Sequence, residues 1–578
     1  MKHVLSLIFC LFSLAFSMAP DAGAVTLYAD STLKADITDG TYSVAARGPG
    51  GKDGNGYATI QAAVYTLEPG DTLLQRGGVF HEWDIALIKA GGGYRVIRGT
   101  PDKWVTIRSF PGEWAVVDAG HHEEWDEAKK QLKTVNVLFT GGAGENHAAY
   151  LRFAYFEVMG AGPALTSPDG KARSYTDVQA LPGKGLAFSP CTNVVFDHLY
   201  VHDNYGGAWP LGGAGISIAN ESGGARHNTI QFCRMGRNGW PPGPNSGGYN
   251  VILYSDYRWG RFPDIDLNLA CQNNEVSYCL LEDSAMGMKH KGTQYLCLNK
   301  EATDLRAKAQ GDRIHHNVVR NCQVGLEVCQ DFSQIHHNLV IGCREGISSG
   351  QPPATGYRDL FYVTMYNNTV VDSAVGLAAR RGSEETVHNY PPPYHPHFSY
   401  WNNVVFDTNQ SVHTEAVPVG IFPTYTLPLA IDMGTVGLDN LLLLGRASGT
   451  GGIRVATETF STDQYLAKGW AKAMWALPVD DARPFFQGKE GAAAFDLRAD
   501  LELQPAAAGR PALTPTNAGH GGDHPYLPGV KIPSYLGALN PAKDSGARWD
   551  PANPDPDDAG WAQYVLDLEN LGKTIKAP

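Results

Sequence analysis

Two lysines separated by one residue are the side chains best suited to chemistry in this sequence. In the segment MGMKHKG they are Lys289 and Lys291, and alternation along a β-strand would place both on one face, roughly 7 Å apart. At an effective dielectric of about 20, their charges would repel by about 2 kcal/mol before salt screening. The screened repulsion would lower a lysine pKa by about one unit. With further burial, Lys291 could act as a general base. His290 would point inward.

A base of this kind would suit β-elimination from a uronate polymer. That reaction needs a base for the proton beside the carboxylate, a cation that stabilises the enolate, and an acid for the leaving oxygen. Arg380 or Arg381 is the predicted carboxylate partner, and Arg381 is also a predicted substrate-binding residue. Glu282 and Asp283, just before the lysine strand, are the predicted ligands of a calcium ion that could take the same role.

Aromatic side chains near the lysines are candidates for sugar stacking. Tyr254, Trp240 and Trp259 lie in or beside the two longest insertions, Gly239–Cys271 and Thr293–Asp312. Aromatic rings pack on sugar faces, so these three residues are predicted to bind substrate. The two insertions would then form the walls of a groove around the lysine strand.

The elements that must position these side chains come from a short repeat between about residues 184 and 415. One pattern is a glycine followed by alternating apolar residues, at Gly185, Gly215, Gly287, Gly325, Gly346 and Gly376. The other is an asparagine followed five residues later by a thiol or a small side chain, as in Asn228–Cys233, Asn274–Cys279, Asn317–Cys322, Asn338–Cys343, Asn368–Ser373 and Asn403–Thr408. Short units with insertions in only some copies indicate a stacked solenoid.

Alignment of the glycine units predicts which side chains share a face of the stack. One outward row would contain Lys289, Glu327, Ser348 and Ala378, and a second would contain Lys291, Cys329, Gly350 and Arg380. Glu327 is predicted to pair with Lys289, and Tyr254 to lie beside Lys291. The predicted catalytic set is Lys291, Lys289, Arg380 and Glu327. The asparagines are predicted to form one hydrogen-bonded ladder at a tight turn.

These repeats resemble the PbH1-type repeats of the pectate-lyase-like superfamily of right-handed parallel β-helices, over about residues 50–440. The resemblance implies an all-β fold, a right-handed parallel β-helix solenoid with an N-terminal helical cap and an irregular C-terminal tail. We predict a signal peptide at 1–24, the N-terminal cap and first coils at 25–120, the β-helix at 121–440 and a C-terminal capping segment at 441–578. The cap helix is predicted within Tyr57–Leu67.

The segment EDSAMGMKHKG also resembles the acidic-then-lysine strand of alginate and chondroitin lyases of the β-helix type. The resemblance implies cleavage of an acidic polysaccharide. In those enzymes the next coil supplies an arginine, whereas the corresponding LEVCQDFSQ of this sequence contains none.

The cysteines and the paired histidines are expected to be structural. Cys233, Cys279, Cys322 and Cys343 are predicted to share one repeat position in consecutive coils. A column of buried free thiols is the favoured interpretation, and disulfides between coils are the alternative. The two HH pairs, at 315–316 and 336–337, belong to the repeat consensus and are interpreted as a consequence of turn geometry.

The N-terminal sequence predicts export to the periplasm or the medium. Lys2 and His3 precede the apolar run Val4–Met18, and Ala22-Gly23-Ala24 fits a cleavage site. No other stretch is apolar enough to span a bilayer. A net charge of −13 argues against nucleic acid as a partner. The predicted partner is an extracellular polysaccharide, and the protein is predicted to be a monomer.

Three classes of function remain open from the sequence. The first is a polysaccharide lyase or a related uronan-modifying enzyme such as an epimerase. The second is a non-catalytic polysaccharide-binding or surface-structural β-helix. The third, a glycoside hydrolase, would need a carboxylate pair, for which Asp256 with Glu282 or Asp283 is the candidate.

Overall fold

Successive strands of the chain join three long sheets in turn, and we name these sheets A, B and C. Within each sheet, strands from successive coils lie side by side and pair in parallel, apart from antiparallel strands at the ends of sheets A and C. Each coil passes from sheet A to sheet B to sheet C, so the chain forms a parallel β-helix. The predicted all-β solenoid fold is confirmed.

The computed structural model describes residues 23–578 with gaps. The residues outside the description are 1–22, 89–94, 128–129, 141–145, 168, 175–176, 178–180, 182, 207–212, 221–224, 240–247, 256–258, 262–270, 292–293, 297–310, 350–362, 380–397, 407–409, 415–435, 440, 445–452, 456–457, 468–473, 478–498, 501–502, 504–512, 519–520, 525–528 and 544–548. The predicted signal peptide lies almost wholly outside the described residues and stays a prediction.

Strands are numbered along the chain. Sheet A contains β1 (Thr26–Ala29), β2 (Ile37–Ser43), β3 (Gly48–Pro49), β4 (Gly54–Tyr57), β5 (Thr72–Gln75), β8 (Val105–Ser109), β13 (Ala148–Ala154), β16 (Cys191–Asp197), β19 (Thr229–Gln231), β23 (Glu275–Ser277), β27 (Arg313–His315), β30 (Gln334–His336), β33 (Val363–Tyr366), β36 (Phe398–Trp401) and β39 (Val436–Asp439). Sheet B contains β6 (Gly78–Phe80), β9 (Ala115–Asp118), β14 (Phe156–Met159), β17 (Tyr200–His202), β20 (Arg234–Gly236), β24 (Leu280–Glu282), β28 (Val318–Arg320), β31 (Leu339–Ile341), β34 (Thr369–Val371), β37 (Val404–Phe406), β40 (Leu441–Leu444) and β43 (Met474–Leu477).

Sheet C contains β7 (Ile85–Ala86), β12 (Leu138–Thr140), β15 (Lys184–Phe188), β18 (Ala214–Asn220), β21 (Tyr249–Ser255), β25 (Met286–Lys291), β29 (Val324–Val328), β32 (Glu345–Ser349), β35 (Val375–Ala379), β38 (Gln410–Thr414), β41 (Ile453–Val455) and β42 (Glu458–Phe460). Three further pairs are β10 (Glu123–Asp126) with β11 (Gln131–Thr134), β22 (Trp259–Arg261) with β26 (Gln294–Leu296), and β44 (Gly522–Asp523) with β45 (Lys531–Ile532). The helices are α1 (Ile60–Val64), α2 (Thr462–Ala467), α3 (Gly560–Asp567) and a 3-10 turn at Leu568–Asn570.

One continuous apolar core fills the solenoid from Leu27 to Val405. The first helix, α1, closes its N-terminal end and buries Ile60 and Val64 in that core. The Thr59 hydroxyl caps the helix by accepting a hydrogen bond from the Ala62 amide at 3.1 Å. The predicted cap helix is therefore present, although it is shorter than Tyr57–Leu67.

The glycine that begins each repeat unit is required by the close approach of neighbouring coils. A Cβ at Gly287 would lie 2.5 Å from the Gly325 carbonyl oxygen, and a Cβ at Gly325 would lie 2.5 Å from that of Gly346. A side chain at these positions would force adjacent coils apart and break the ladders of sheet C.

The asparagine pattern occupies two corners of the coil rather than one, so the single predicted ladder is wrong in this respect. At the corner between sheets A and B, the A–B corner, Nδ2 to Oδ1 hydrogen bonds near 3.0 Å link Asn317, Asn338, Asn368 and Asn403. At the corner between sheets C and A, Asn228 bonds to Asn274, which bonds to Asp312. Both corners need a residue whose amide or carboxylate bonds to the next coil, so one motif serves two places.

The cysteine column divides in the same way. Cys233 and Cys279 lie at the A–B corner, whereas Cys322 and Cys343 lie at the corner between sheets B and C. A left-handed residue precedes each of them (Phe232, Tyr278, Asn321 and Gly342), which explains why their local sequences look alike. Every cysteine in the described part of the chain is free and buried, as the favoured interpretation expected.

The solenoid extends beyond the predicted boundary at residue 440. The sheets continue past that residue through β40, β41 and β43 to Leu477. The described residues of 529–578, which we name the C-terminal strap, then run back along the A–B corner. In the strap, the Gly537 amide donates a hydrogen bond to the Asn402 carbonyl oxygen at 2.7 Å. The Ala577 carbonyl oxygen of the strap accepts one from the Gly112 amide at 2.9 Å. The described residues include no helix long and apolar enough to cross a membrane.

Candidate functional site

The strand β25 carries the predicted lysine pair on the face of sheet C that points away from the core. Lys289 pairs in register with Ile252 of β21 and Glu327 of β29, and the same row continues through Ser348 and Ala378. Lys291 pairs in register with Tyr254. The predicted directions of these side chains are confirmed, because alternation along the strand fixes them.

A buried ion pair occupies the first row. The Lys289 Nζ donates to Glu327 Oε1 at 2.8 Å, and the two side chains are 11% and 8% exposed. Burial lowers the pKa of Lys289, but the charge of Glu327, helped by Tyr249 and Cys329, outweighs it and raises that pKa. Lys289 therefore remains a cation, which suits charge stabilisation and not proton abstraction.

The second lysine packs against an aromatic ring. The Lys291 Nζ lies 5.6 Å from the centre of the Tyr254 ring, within the range of a cation–π contact. Between the two lysines, His290 points into the core as predicted. Its Nε2 lies 2.8 Å from Asp312 Oδ2, and both side chains are fully buried.

The two lysines of the outward rows are nevertheless buried, although an outward direction would be expected to expose them. Lys289 is 9% exposed and Lys291 4%. The neighbours of Lys289 in this row are also buried, namely Ser217, Ile252, Glu327, Ser348 and Ala378. Ala214, Tyr249 and Ile252 form a small apolar cluster outside the core, and β22 pairs with β26 in the insertions that follow β21 and β25. Alternation predicts the direction of a side chain from the core, but not its access to solvent.

The two predicted calcium ligands are engaged by other side chains. Glu282 is 2% exposed and accepts hydrogen bonds from Arg234 Nε at 2.8 Å and from Arg320. Asp283 accepts a hydrogen bond from the Asn321 side chain at 3.3 Å. A calcium ion on Glu282 would have to displace a guanidinium group, which argues against the predicted ligation. A calcium cofactor stays a prediction.

Several predicted residues lie outside the described part of the chain. Arg380, Arg381, Trp240 and Asp256 are among them. Trp259 begins β22, but its side chain is also outside the description. The described site therefore brings together Lys289, Lys291, Glu327 and Tyr254. Tyr249, at the start of β21, is one of the aromatic residues near the insertions, but it was not among the predicted substrate-binding residues.

Sequence reasoning also missed a cluster of four histidines. These residues meet at the A–B corner beneath the C-terminal strap, so turn geometry alone does not explain their positions. They are His315, His316, His336 and His337. The 21-residue interval between the two HH pairs was the signal, because it places equivalent residues in adjacent coils.

Comparison with known proteins gives similarity in structure alone. No protein-family model matches the chain, and no curated protein sequence matches it. Among solved structures, the pectate lyase Pel9A is 14% identical with a TM-score of 0.41, over 89% of this chain and 96% of that one. A GH136 lacto-N-biosidase from Eubacterium ramulus is 13% identical with a TM-score of 0.46, over 79% and 68%.

A mannuronic acid-specific polysaccharide family 6 lyase from human gut microbiota is 12% identical with a TM-score of 0.39, over 73% of this chain and 90% of that one. At these TM-scores the structures are too different for residues or activities to be transferred between them. The parallel ladders of sheets A, B and C establish the parallel β-helix architecture by themselves.

Proposed function

We propose that the protein is a carbohydrate-active enzyme that cleaves a uronate-containing polysaccharide by β-elimination beside β25. The observation that supports this proposal is the burial of Lys289, Glu327 and Lys291 in rows where other coils carry Ser217, Ile252, Ser348 and Ala378. Burying ionised groups costs stability unless they are paired, and such groups concentrate at functional sites. The fold itself would tolerate serine or alanine here.

The two lysines would have different roles. Lys289 stays protonated beside Glu327 and has further N–H donors for a uronate carboxylate, so it would stabilise the developing enolate. Lys291 would take the proton from the carbon next to that carboxylate. A carbon–carbon double bond then forms as the bond to the leaving oxygen breaks. Tyr254, in contact with Lys291, is the candidate to orient it and to return a proton to the leaving oxygen.

The decisive experiment is a lyase assay on a panel of uronate polymers, followed through the ultraviolet absorbance of unsaturated sugar ends. Lys291→Ala should reduce turnover by about 100-fold or more, since general-base catalysis contributes that much. Ser348→Ala is the matched control on the same sheet face, because the buried Ser348 hydroxyl has no hydrogen-bond partner among the described residues. Full activity in Lys291→Ala, or no turnover on any polymer, contradicts the proposal.

Non-catalytic binding of a polysaccharide is the second candidate function, because the low exposure of Lys291 restricts the access of a polymer to the proposed base. A site with only 4% exposure admits a polymer only if the surrounding chain opens. If the protein only binds the polysaccharide, it is retained on an immobilised uronan and the polymer keeps its length. Retention that is unchanged in Lys291→Ala would place the binding surface elsewhere.

The proposed site of action is outside the cell or in the periplasm, which depends on the predicted signal peptide at 1–24. Expression of the full chain in a Gram-negative host, followed by N-terminal sequencing of the exported protein, tests this. A mature protein that begins at Val25 supports export, and an uncleaved chain retained inside the cell contradicts it.

A further inference from the structure

Four histidines from two adjacent coils meet at the A–B corner. The Nδ1 atoms of His315 and His316 lie 2.8 Å apart, and so do those of His336 and His337. Between the coils, the rings stack with centres 4.8 Å apart, His315 on His336 and His316 on His337. One ligand atom from each of His316, His336 and His337 lies within 4.8 Å of the other two.

In three of these residues the other ring nitrogen, Nε2, lies next to a hydrogen-bond partner outside the cluster. His316 Nε2 lies 2.9 Å from the Pro556 carbonyl oxygen, and His337 Nε2 lies 2.8 Å from the Tyr535 hydroxyl. His315 Nε2 lies 3.2 Å from Glu275 Oε1. A carbonyl only accepts, so a neutral His316 carries its proton on Nε2 and its lone pair on Nδ1, which faces His315.

This arrangement has the pattern of metal-binding histidines. A ligating imidazole generally donates its other ring N–H to a carbonyl, a carboxylate or a similar partner, which fixes the tautomer and the orientation of the ring. Here the strap supplies that partner to His316 and His337. The Nδ1 atoms face each other within the cluster.

We propose that His316, His336 and His337 bind one divalent first-row transition-metal ion, with His315 as an adjacent fourth nitrogen. Imidazole nitrogen is a favoured ligand of Zn²⁺, Cu²⁺ and Ni²⁺. In a tetrahedral zinc site two ligand nitrogens lie about 3.3 Å apart. The 2.8 Å separation within each pair and the 4.8 Å limit across the cluster enclose that value. The stacked rings are nearly parallel, so binding would require them to rotate until their lone pairs converge on the ion.

The ion would connect the solenoid to its C-terminal strap. Two coils contribute ligands, and the hydrogen bonds of His316 and His337 reach the strap at Pro556 and Tyr535. The His315 side chain, 12% exposed on the outer face of sheet A, marks the side from which an ion can enter. The role of the ion would be structural, independent of the site beside β25.

The later coils provide a substitution that preserves the local backbone. Asn367 and Asn402 occupy the column of His316 with the same left-handed conformation, and their amides donate to strap carbonyl oxygens. His316→Asn should therefore fold and keep a bond to the strap. His198→Asn is the matched control, because His198 has the same conformation and bonds to Tyr564 of the strap, but its Nδ1 faces Asp197 instead of a histidine.

The test is a titration of the mature protein, purified without a histidine tag and stripped with a chelator, with Zn²⁺ alone and with Co²⁺ alone. We expect one ion per chain, a higher Tm with zinc, and the visible absorption of tetrahedral cobalt. His316→Asn should weaken binding at least about tenfold, while His198→Asn binds as the unaltered protein does.

Absence of saturable binding overturns the proposal, and so does binding that survives in His316→Asn. The histidines would then be stacked, hydrogen-bonded filling beneath the strap. If His316→Asn does not fold, His336→Tyr takes its place, since the next coil has Tyr366 at that position. A folded His336→Tyr that still binds one ion with unchanged affinity is equally contradictory.

Discussion

The A–B corner and the outer face of sheet C are built from the same coils, but residue types repeat from coil to coil at the corner and change from coil to coil on the face. At the A–B corner, equivalent residues repeat, and their rings stack from coil to coil at 4.5–5.2 Å through Tyr155, His198, Phe232, Tyr278, His316 and His337. On the outer face of sheet C, the equivalent residues change from serine to isoleucine, lysine, glutamate, serine and alanine.

This difference distinguishes the residues that build the fold from the residues that are candidates for catalysis. A stacked ring or an asparagine amide is satisfied by the same residue in the next coil, so repetition stabilises the rod. A charge cannot be satisfied in this way, because like charges in adjacent coils repel. The Lys289–Glu327 pair is therefore a local departure from the repeat, and the charged row ends one coil later at Ser348.

The largest expected loss of stability is at the A–B corner, where the C-terminal strap covers the coils. Trp561 of α3 is fully buried against the His316 ring, 5.1 Å between ring centres. Trp561→Ala should lower the free energy of unfolding by about 3–5 kcal/mol, because it leaves a large cavity between the strap and the coils. Urea denaturation followed by circular dichroism measures the change.

Trp125→Ala is the control, since Trp125 is 56% exposed on β10. It should change the free energy of unfolding by no more than about 0.5 kcal/mol. Equal effects of the two substitutions would show that the strap contributes no more to stability than an exposed surface does.

The second largest expected loss of stability concerns the buried ion pair between Lys289 and Glu327. Glu327→Gln removes the counter-charge of the buried Lys289 ammonium and should cost about 3 kcal/mol of unfolding free energy. The double variant Lys289→Met, Glu327→Leu removes both charges and should recover most of that loss. Chemical denaturation of the single and double variants measures the coupling. A double variant as unstable as Glu327→Gln would mean that lost packing, not an unpaired charge, causes the effect.

A smaller effect concerns an ion pair within the stacked column. Burial opposes ionisation of Asp197, but the charges and hydrogen bonds of His198 and Arg152 outweigh it and lower its pKa from 3.8 to about 2. A lowered folded-state pKa gives stability that is complete above pH 4 or so and disappears as the pH falls through about 2, worth about 2 kcal/mol. Denaturation curves between pH 2 and 7 should show this loss in the unaltered protein.

Asp197→Asn should lose about that much at neutral pH and should flatten the acid limb of the stability profile. An acid limb that is unchanged in Asp197→Asn would assign the acid sensitivity to other carboxylates.

Periodic features of the molecule could be predicted from the sequence, and non-periodic features could not. Alternation gave the directions of Lys289, Lys291 and His290, because a strand has only two faces. The same reasoning could not separate Asn228 from Asn317, since two corners of the coil use one short motif. The burial of Lys291 could not be predicted, because alternation gives the face of a strand on which a side chain lies but not what packs over that face.

The engagement of Glu282 was accessible from the sequence but overlooked. Glu282 and Arg320 both end a sheet B strand and pair in register. An alignment of LLEDS with VVRNC places their opposite charges side by side in adjacent coils. The sequence therefore contains an argument against calcium ligation by Glu282, because its carboxylate has a guanidinium partner one coil away.

The C-terminal strap changes how this rod can fold. The Pro578 carbonyl oxygen accepts a hydrogen bond from Arg108, a separation of 470 residues. A solenoid whose coils touch only their neighbours can grow coil by coil from any starting point. In this chain the C-terminal strap crosses the coils in reverse order, so a segment that is synthesised after the coils binds to one of the first coils to be made. Completion of the native fold must therefore wait until the strap has been synthesised, and removal of the strap residues that contact Arg108 should loosen that end of the solenoid.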